Sequence, residues 1–275
     1  MTNPTAPPAA APRDPAVEAA LARRLAGSRL GRPVYAFARA ASTMDLAHTL
    51  AAEGAPEGAL VVADRQEHGR GRLGRSWASP DGGLYCSLIL RPQRPPADSP
   101  QLSLVAGLAA AEAVREAARV YPSIRWPNDL LIGGRKLAGI LTEQKVSDTF
   151  GARHLLPAVV VGIGINISTD PADLPEGSTS LAAEGAGCVS RDDILAALCS
   201  RLSAWYDTWL SHGFTPIREA LRPWIGLFGR VVRFTAGAEQ LDGVAQDLDE
   251  AGRLIVRLDT GLVRALDAGE VTRVR

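Results

Sequence analysis

The sequence predicts an α+β protein, with one large domain of interleaved helices and strands followed by a small all-β unit. Three observations predict it. Helix signals and short apolar strand runs alternate irregularly up to about Trp224. The Ala-rich stretch Gln101 to Tyr121 is long enough to form a helix that covers a sheet. Beyond Trp224 the texture changes to short apolar runs separated by Gly, Asp and Glu, the pattern of a small β-barrel of about 50 residues.

Asp14 before Pro15 reads as an N-cap and a favoured first helical residue, for a helix running to about Leu25 with Gly27 past its end. A second helix is expected from Ser42 or Thr43 to Gly54. The run Ala59 to Asp64 is a strand, Gly69 to Arg75 a Gly/Arg loop, and Leu84 to Arg91 another strand. Ile124 to Trp126 and Leu130 to Ile132 read as strand ends around a Pro-Asn-Asp turn. Gly133-Gly134 then signals a hairpin into Arg135 to Glu143. Pro157 to Ile167 is a strongly apolar strand. A Pro/Gly/Ser-rich loop from Ser168 to Cys188 precedes a helix that Ser190 and Asp193 open as a capping box and Gly213 ends. The final strands are Val231 to Thr235, Gly243 to Leu248, Leu254 to Leu258, Leu262 to Leu266 and Val271 to Val274.

Composition excludes several classes. In 275 residues, 30 basic side chains balance 30 acidic ones, so no global field draws in nucleic acid and any anion site must be local. Cys86, Cys188 and Cys199 form no CxxC pair, against a disulfide framework or zinc site and in keeping with a reducing cytoplasm. His48, His68, His154 and His212 lack metal-ligand spacing. Residues 1–13, rich in Pro and Ala, read as a disordered tail without the features of a signal peptide. No apolar run approaches the roughly 20 residues that span a bilayer.

Three segments carry chemistry. Gly69 to Trp77, GRGRLGRSW, sets Arg70, Arg72 and Arg75 among three glycines, so backbone N–H groups and planar guanidinium forks face a small polyanion. A basic surface turn or a nucleic-acid patch is the alternative. In RWPNDLLIGGRKLAGILTE, Lys136 follows the hairpin turn on a strand that holds it. Alternation points its ammonium away from the face of Leu137, Gly139 and Leu141, as a partner for a carboxylate or α-phosphate or simply to solvent. Asp129 is a weak candidate for Mg²⁺ or for accepting a proton, Asn128 shapes the turn, and Trp126 reads as core. In VVVGIGINIS the face of Val159, Val161, Ile163, Ile165 and Ile167 is core. The opposite face, with Gly162, Gly164 and Asn166, leaves room for a flat group such as a purine, or else allows close packing. Ser42 and Thr43 suit helix capping and ligand hydrogen bonding equally. Gln66 is placed to read an amide-like ligand, with Trp77 and Tyr85 as apolar walls.

In this order the three segments resemble the biotin–protein ligase family from about Ala40 to Ile167, and the last 50 residues resemble its SH3-like C-terminal domain. The resemblance implies a mixed sheet packed on helices, related to class II aminoacyl-tRNA synthetase and lipoate ligase domains. It places a biotin- and ATP-binding catalytic domain at 14–225 and the small domain at 226–275. It also implies catalysis by Lys136, Arg70 and Arg72. Biotin would meet Ser42, Thr43, Gln66, Gly69, Arg70, Gly71, Arg72, Trp77, Tyr85, Lys136 and Gly139. The adenylate would meet Arg72, Arg75, Trp77, Asn128, Asp129, Lys136 and Asn166, with Mg²⁺ accompanying the nucleotide. Met44 stands where asparagine is common. The implied partner is the biotin carboxyl carrier domain of acetyl-CoA or a related acyl-CoA carboxylase, for a cytoplasmic monomer or homodimer. A lipoate or octanoate ligase of related fold is the nearest alternative. Only about 40 residues precede Ser42, which leaves little room for the DNA-binding domain of the family's repressors.

Overall fold

The structure, a computed structural model, describes residues 12–144, 158–236, 239–267 and 271–273. The chain opens with α1 (Pro15–Arg24), where the Asp14 carboxylate accepts from the N–H groups of Ala16 and Val17 as an N-cap. Arg13, expected in a disordered tail, is instead held by Glu18 at 2.6 Å and lies over the Tyr35 ring. There follow β1 (Val34–Ala40), α2 (Thr43–Ala52), β2 (Leu60–Gln66), β3 (Gly83–Leu90), α3 (Gln101–Ala118), β4 (Ser123–Arg125), β5 (Asp129–Ile132), β6 (Arg135–Gln144) and β7 (Val159–Asn166). Two helices come next, α4 (Arg191–His212) and α5 (Thr215–Leu221). The chain then forms β8 (Val231–Ala236), β9 (Glu239–Leu248), β10 (Leu254–Leu258), β11 (Val263–Leu266) and β12 (Val271–Arg273).

Seven strands make one sheet in the order β1-β2-β3-β7-β6-β5-β4. The β1–β2 pair is parallel and the rest are antiparallel, so the sheet is mixed. Its middle strands are covered on both faces, which is why β3 is buried along its whole length. One face carries the larger core, under α3 and α4. Ala109, Ala110, Ala111 and Ala113 of α3 are all buried, and such small side chains let α4 lie close. On the other face α2 packs on β2, β3 and β7 through the small residues Ala47 and Ala51. Among the described residues no helix covers the sheet beyond the N-terminus of α2, and there the cleft lies.

The five C-terminal strands form an antiparallel sheet, β11-β10-β9-β8-β12, consistent with an SH3-like domain. The pairing among the described residues does not close into the expected barrel. Its apolar side, with Val232, Phe234, Leu254 and Val256, joins the larger core. Trp126, buried as expected, donates from Nε1 to the Gly252 carbonyl at 3.0 Å and ties the two units together.

Several boundaries differ from expectation. The Gln101 helix stops at Ala118 because Arg119 turns left-handed (φ 58°) ahead of Pro122. Ser190 is the N-cap of α4 but makes no side-chain capping bond, and Asp193 pairs with Arg24 across the surface instead. β1 and α5 were not foreseen. β1 reads VYAFARA, where Ala and Arg blur the period-two signal. α5 is only seven residues long and is stabilised by packing, with Ile217 and Leu221 buried. Among the described residues the three cysteines are free, and no helix is long and apolar enough to cross a membrane. Residues 1–11, His154 and Val274 lie outside the described residues.

Candidate active site

A cleft of about 440 Å³ opens on the uncovered face of the sheet. Its floor is β7, where the predicted alternation holds. Val159, Val161, Ile163, Ile165 and Ile167 enter the core, and Gly162 and Gly164 face the cleft. The flat group over Gly164 is the chain's own indole. A Cβ on Gly164 would sit 2.6 Å from Trp77 Cε2 and Nε1, and one on Gly139 2.8 Å from Trp77 Cζ3. The missing side chains therefore make a seat for Trp77.

Lys136 lies on β6 beside this ring, its Nζ 5.1 Å from the indole centroid. Simple alternation placed Gly139 and Leu141 on the face opposite Lys136, and the structure corrects this. The β5–β6 register shifts between Leu130 and Leu131, so Leu137 is an extra residue in a bulge. Leu137 and Ala138 both enter the core, and Gly139 and Leu141 return to the cleft with Lys136. The loop after β7 fixes the Lys136 backbone. Lys136 N–H donates to the Gly177 carbonyl at 2.8 Å, and Thr179 N–H donates to the Lys136 carbonyl at 2.9 Å. Asn166, buried at 2% exposure, donates from Nδ2 to the Thr179 carbonyl, and its Oδ1 has no partner among the described residues.

Two of the three expected cations meet at one turn. Lys136 Nζ is 2.8 Å from Asp129 Oδ1, and Arg72 donates to Asn128 Oδ1 at 3.0 Å. Asn128 Nδ2 in turn holds the Ile140 carbonyl. Burial lowers the Arg72 pKa from its ordinary value, while nearby Asp129 opposes that shift. Asp129 Oδ2 accepts from Arg125 at 2.6 Å. Arg70 is not brought to this turn. It bridges Asp45 on α2 at 2.8 Å and Glu143 on β6 at 2.5 Å, with His48 Nε2 3.1 Å from the other Glu143 oxygen. Arg70 thus acts as a strut across the cleft. Arg75 is exposed on the outer leg of the loop.

The opposite end of the cleft is a hydrogen-bonded chain. Ser87 donates to Thr43 Oγ1 at 2.9 Å, Thr43 donates to Gln66 Oε1, and Gln66 Nε2 donates to Ser79 Oγ. Ser42 Oγ is fully buried at this helix start with no partner among the described residues, and so is Trp77 Nε1 beside the cationic end. Tyr85 does not line the cleft. Its hydroxyl donates to the Pro80 carbonyl at 2.7 Å and burial pushes its pKa up to about 12, so it braces the segment behind Trp77. Sequence reasoning did not find Asp45, Glu143, Ser79 or Ser87, since a lone polar residue on a helix or strand carries no signal until the fold supplies its partner.

The glycine loop is a tight hairpin in which Gly71 N–H donates to the Arg75 carbonyl and Trp77 N–H to the Gly69 carbonyl. Leu73 at its tip is 78% exposed and left-handed (φ 56°). That conformation costs an L-residue about 1–2 kcal/mol, and glycine gives back about 0.5–1 in chain entropy. Leu73→Gly is therefore expected to raise the unfolding free energy by about 0.5–1 kcal/mol. Urea denaturation checks it, and a destabilised variant would show that Leu73 makes a stabilising contact.

Comparison with known proteins agrees with this geometry. The model of the biotin/lipoate A/B protein ligase family matches residues 36–166, and that of the biotin protein ligase C terminal domain matches 227–273. The bifunctional ligase/repressor BirA of Bacillus subtilis is 36% identical over 82% of this chain and 70% of its own length. The biotin–[acetyl-CoA-carboxylase] ligase of Mycobacterium tuberculosis is 31% identical over 96% of this chain and 97% of its own. The biotin protein ligase of Aquifex aeolicus, solved with biotin and ATP, superposes with a TM-score of 0.73 at 28% identity, covering 88% of this chain and 98% of that one. The two matched models, in chain order over a mixed sheet and a small antiparallel one, leave a single assignment: this chain belongs to the biotin/lipoate A/B protein ligase family.

Proposed function

We propose that this chain is a biotin–protein ligase, which converts biotin and ATP into biotinyl-5′-adenylate and pyrophosphate and then transfers the biotinyl group to a lysine of a carboxylase carrier domain. The observation that carries this reading is the polarity of the cleft. At one end Lys136 lies on Asp129, and Asn128 accepts from Arg72, which reaches in from the adjoining hollow, while the uncharged Thr43–Gln66 chain stands at the other end. That arrangement suits an acid with a neutral, amide-like head.

A carboxylate is a poor acyl donor, because resonance deactivates its carbonyl and oxide is a poor leaving group. In the first step a biotin carboxylate oxygen bonds to the ATP α-phosphorus, the bond to the bridging oxygen breaks, and pyrophosphate leaves with that electron pair. Negative charge develops at the phosphorus, where Lys136 and Arg72 are held in advance. The amine of the carrier lysine then attacks the acyl carbon of the mixed anhydride and AMP departs. Trp77 over Gly164 forms a flat wall beside this centre. In this reading Arg70 positions the loop and does not meet the phosphate, since two carboxylates already hold it. Magnesium comes with the triphosphate as part of the substrate. Asp129 already has a cation on each oxygen, and no group of three His, Cys, Asp or Glu side chains forms a metal cage among the described residues. We assign the chemistry to residues 14–225 and treat 226–275 as an appended domain.

Biotin-dependent exchange of labelled pyrophosphate into ATP tests the reading. Exchange with biotin and not with lipoate is the expected result. Exchange with lipoate alone would replace it with the related lipoate activity.

A further inference from the structure

The floor of the cleft is a ruler. Same-face residues on a strand lie about 7 Å apart, so Gly162 and Gly164 mark two stations along β7. Trp77 occupies the second, next to Lys136. Met44 occupies the first, its Sδ 2.5 Å and its Cγ 3.0 Å from where a Cβ of Gly162 would stand. Met44 sits in the first turn of α2, is 3% exposed, and lines the cleft. Behind it Ala47 and Ala51 of α2 join a closed apolar cluster with Phe37, Val61, Ala63, Ile89 and Val160. Met44 is thus the boundary between open cleft and closed core.

We propose that Met44 is the end stop of the acid-binding pocket and sets its preference for a compact ring acid over a longer linear one. This rests on the functional reading above, which places the carboxylate at Lys136 and the far end of the acid at the Thr43–Gln66 chain, next to Met44. A thioether on three rotatable bonds fills an irregular gap well, and here the gap is the one that the missing side chain of Gly162 leaves. Truncation to alanine removes three heavy atoms and lengthens the pocket along the strand. The opposite change is available at Gly162, where an added methyl meets the sulfur at 2.5 Å and pushes it forward into the cleft.

The test uses the full chain and measures acid-dependent pyrophosphate exchange with biotin and with octanoate, with thermal melting as the fold control. Met44→Ala should raise the octanoate-to-biotin ratio of kcat/KM by about tenfold or more, the scale on which a hydrophobic pocket discriminates a few methylenes. Gly162→Ala should raise the KM for biotin by a similar factor. A folded Met44→Ala with an unchanged ratio overturns the end stop. If Met44→Ala does not fold, an unchanged biotin KM in Gly162→Ala overturns it in its place. A wild-type chain that shows no exchange with biotin would overturn the functional reading itself, a distinct failure.

Discussion

Lys136→Ala is expected to lose adenylate formation by about 10²- to 10³-fold in kcat, the range found when one preorganised charge-stabilising group is removed. The position is rigid, because the Lys136 backbone is bonded on both sides to the loop at Gly177 and Thr179. A water molecule or a neighbouring side chain placed there by chance would have to reorganise as charge develops at phosphorus, whereas Lys136 does not. The fold should survive, since Asp129 keeps its bond to Arg125 and Leu137 remains in the core. Lys136→Arg is not expected to rescue fully, because a planar fork does not replace a point charge at this bulge. Single-turnover release of pyrophosphate, alongside a thermal melt, makes the measurement. Adenylate formed at the normal rate by a folded Lys136→Ala would remove Lys136 from the chemistry.

The second large effect concerns a residue with no side chain. In Gly164→Ala the new Cβ would lie 2.6 Å from the Trp77 indole, far inside contact distance, and the ring plane cannot swing aside like a flexible chain end. Trp77 must leave its seat, and Lys136 loses the ring that flanks it. A displacement of about 1 Å near a reacting centre typically costs about 10²-fold, and that loss is expected in kcat/KM for ATP. Both residues act through one contact, so their effects should not add. The double variant Gly164→Ala/Trp77→Ala should match Trp77→Ala alone. Additive losses would show that the glycine serves some purpose other than seating the indole.

Much of the site was legible because its segments are local in sequence. The GRGR loop, the hairpin that delivers Lys136 and the alternation of β7 are all set within about ten residues, and they lie where expected. The facing of Gly139 and Leu141 was misread. Period two assumes an unbroken ladder, and a bulge at Leu137 is invisible until β5 is laid beside β6. The grouping of three cations failed for a similar reason. Arg70 and Arg72 are two residues apart on a tight loop, and which acid each one meets depends on Asp45 and Glu143, which come from a helix and from the far end of another strand.

The sequence by itself determined the α+β class, the residues of the Gly/Arg loop, the core face of β7 and the presence of a cation on a rigid strand, because periodicity, turn chemistry and residue type act over short stretches of chain. Only the tertiary structure decided that Arg72 and Lys136 share one turn while Arg70 spans the cleft, that Trp77 fills the space above Gly139 and Gly164, and that Met44 closes the end above Gly162. Those outcomes depend on which strands and helices lie side by side, and that follows from the packing of the whole sheet against its helices.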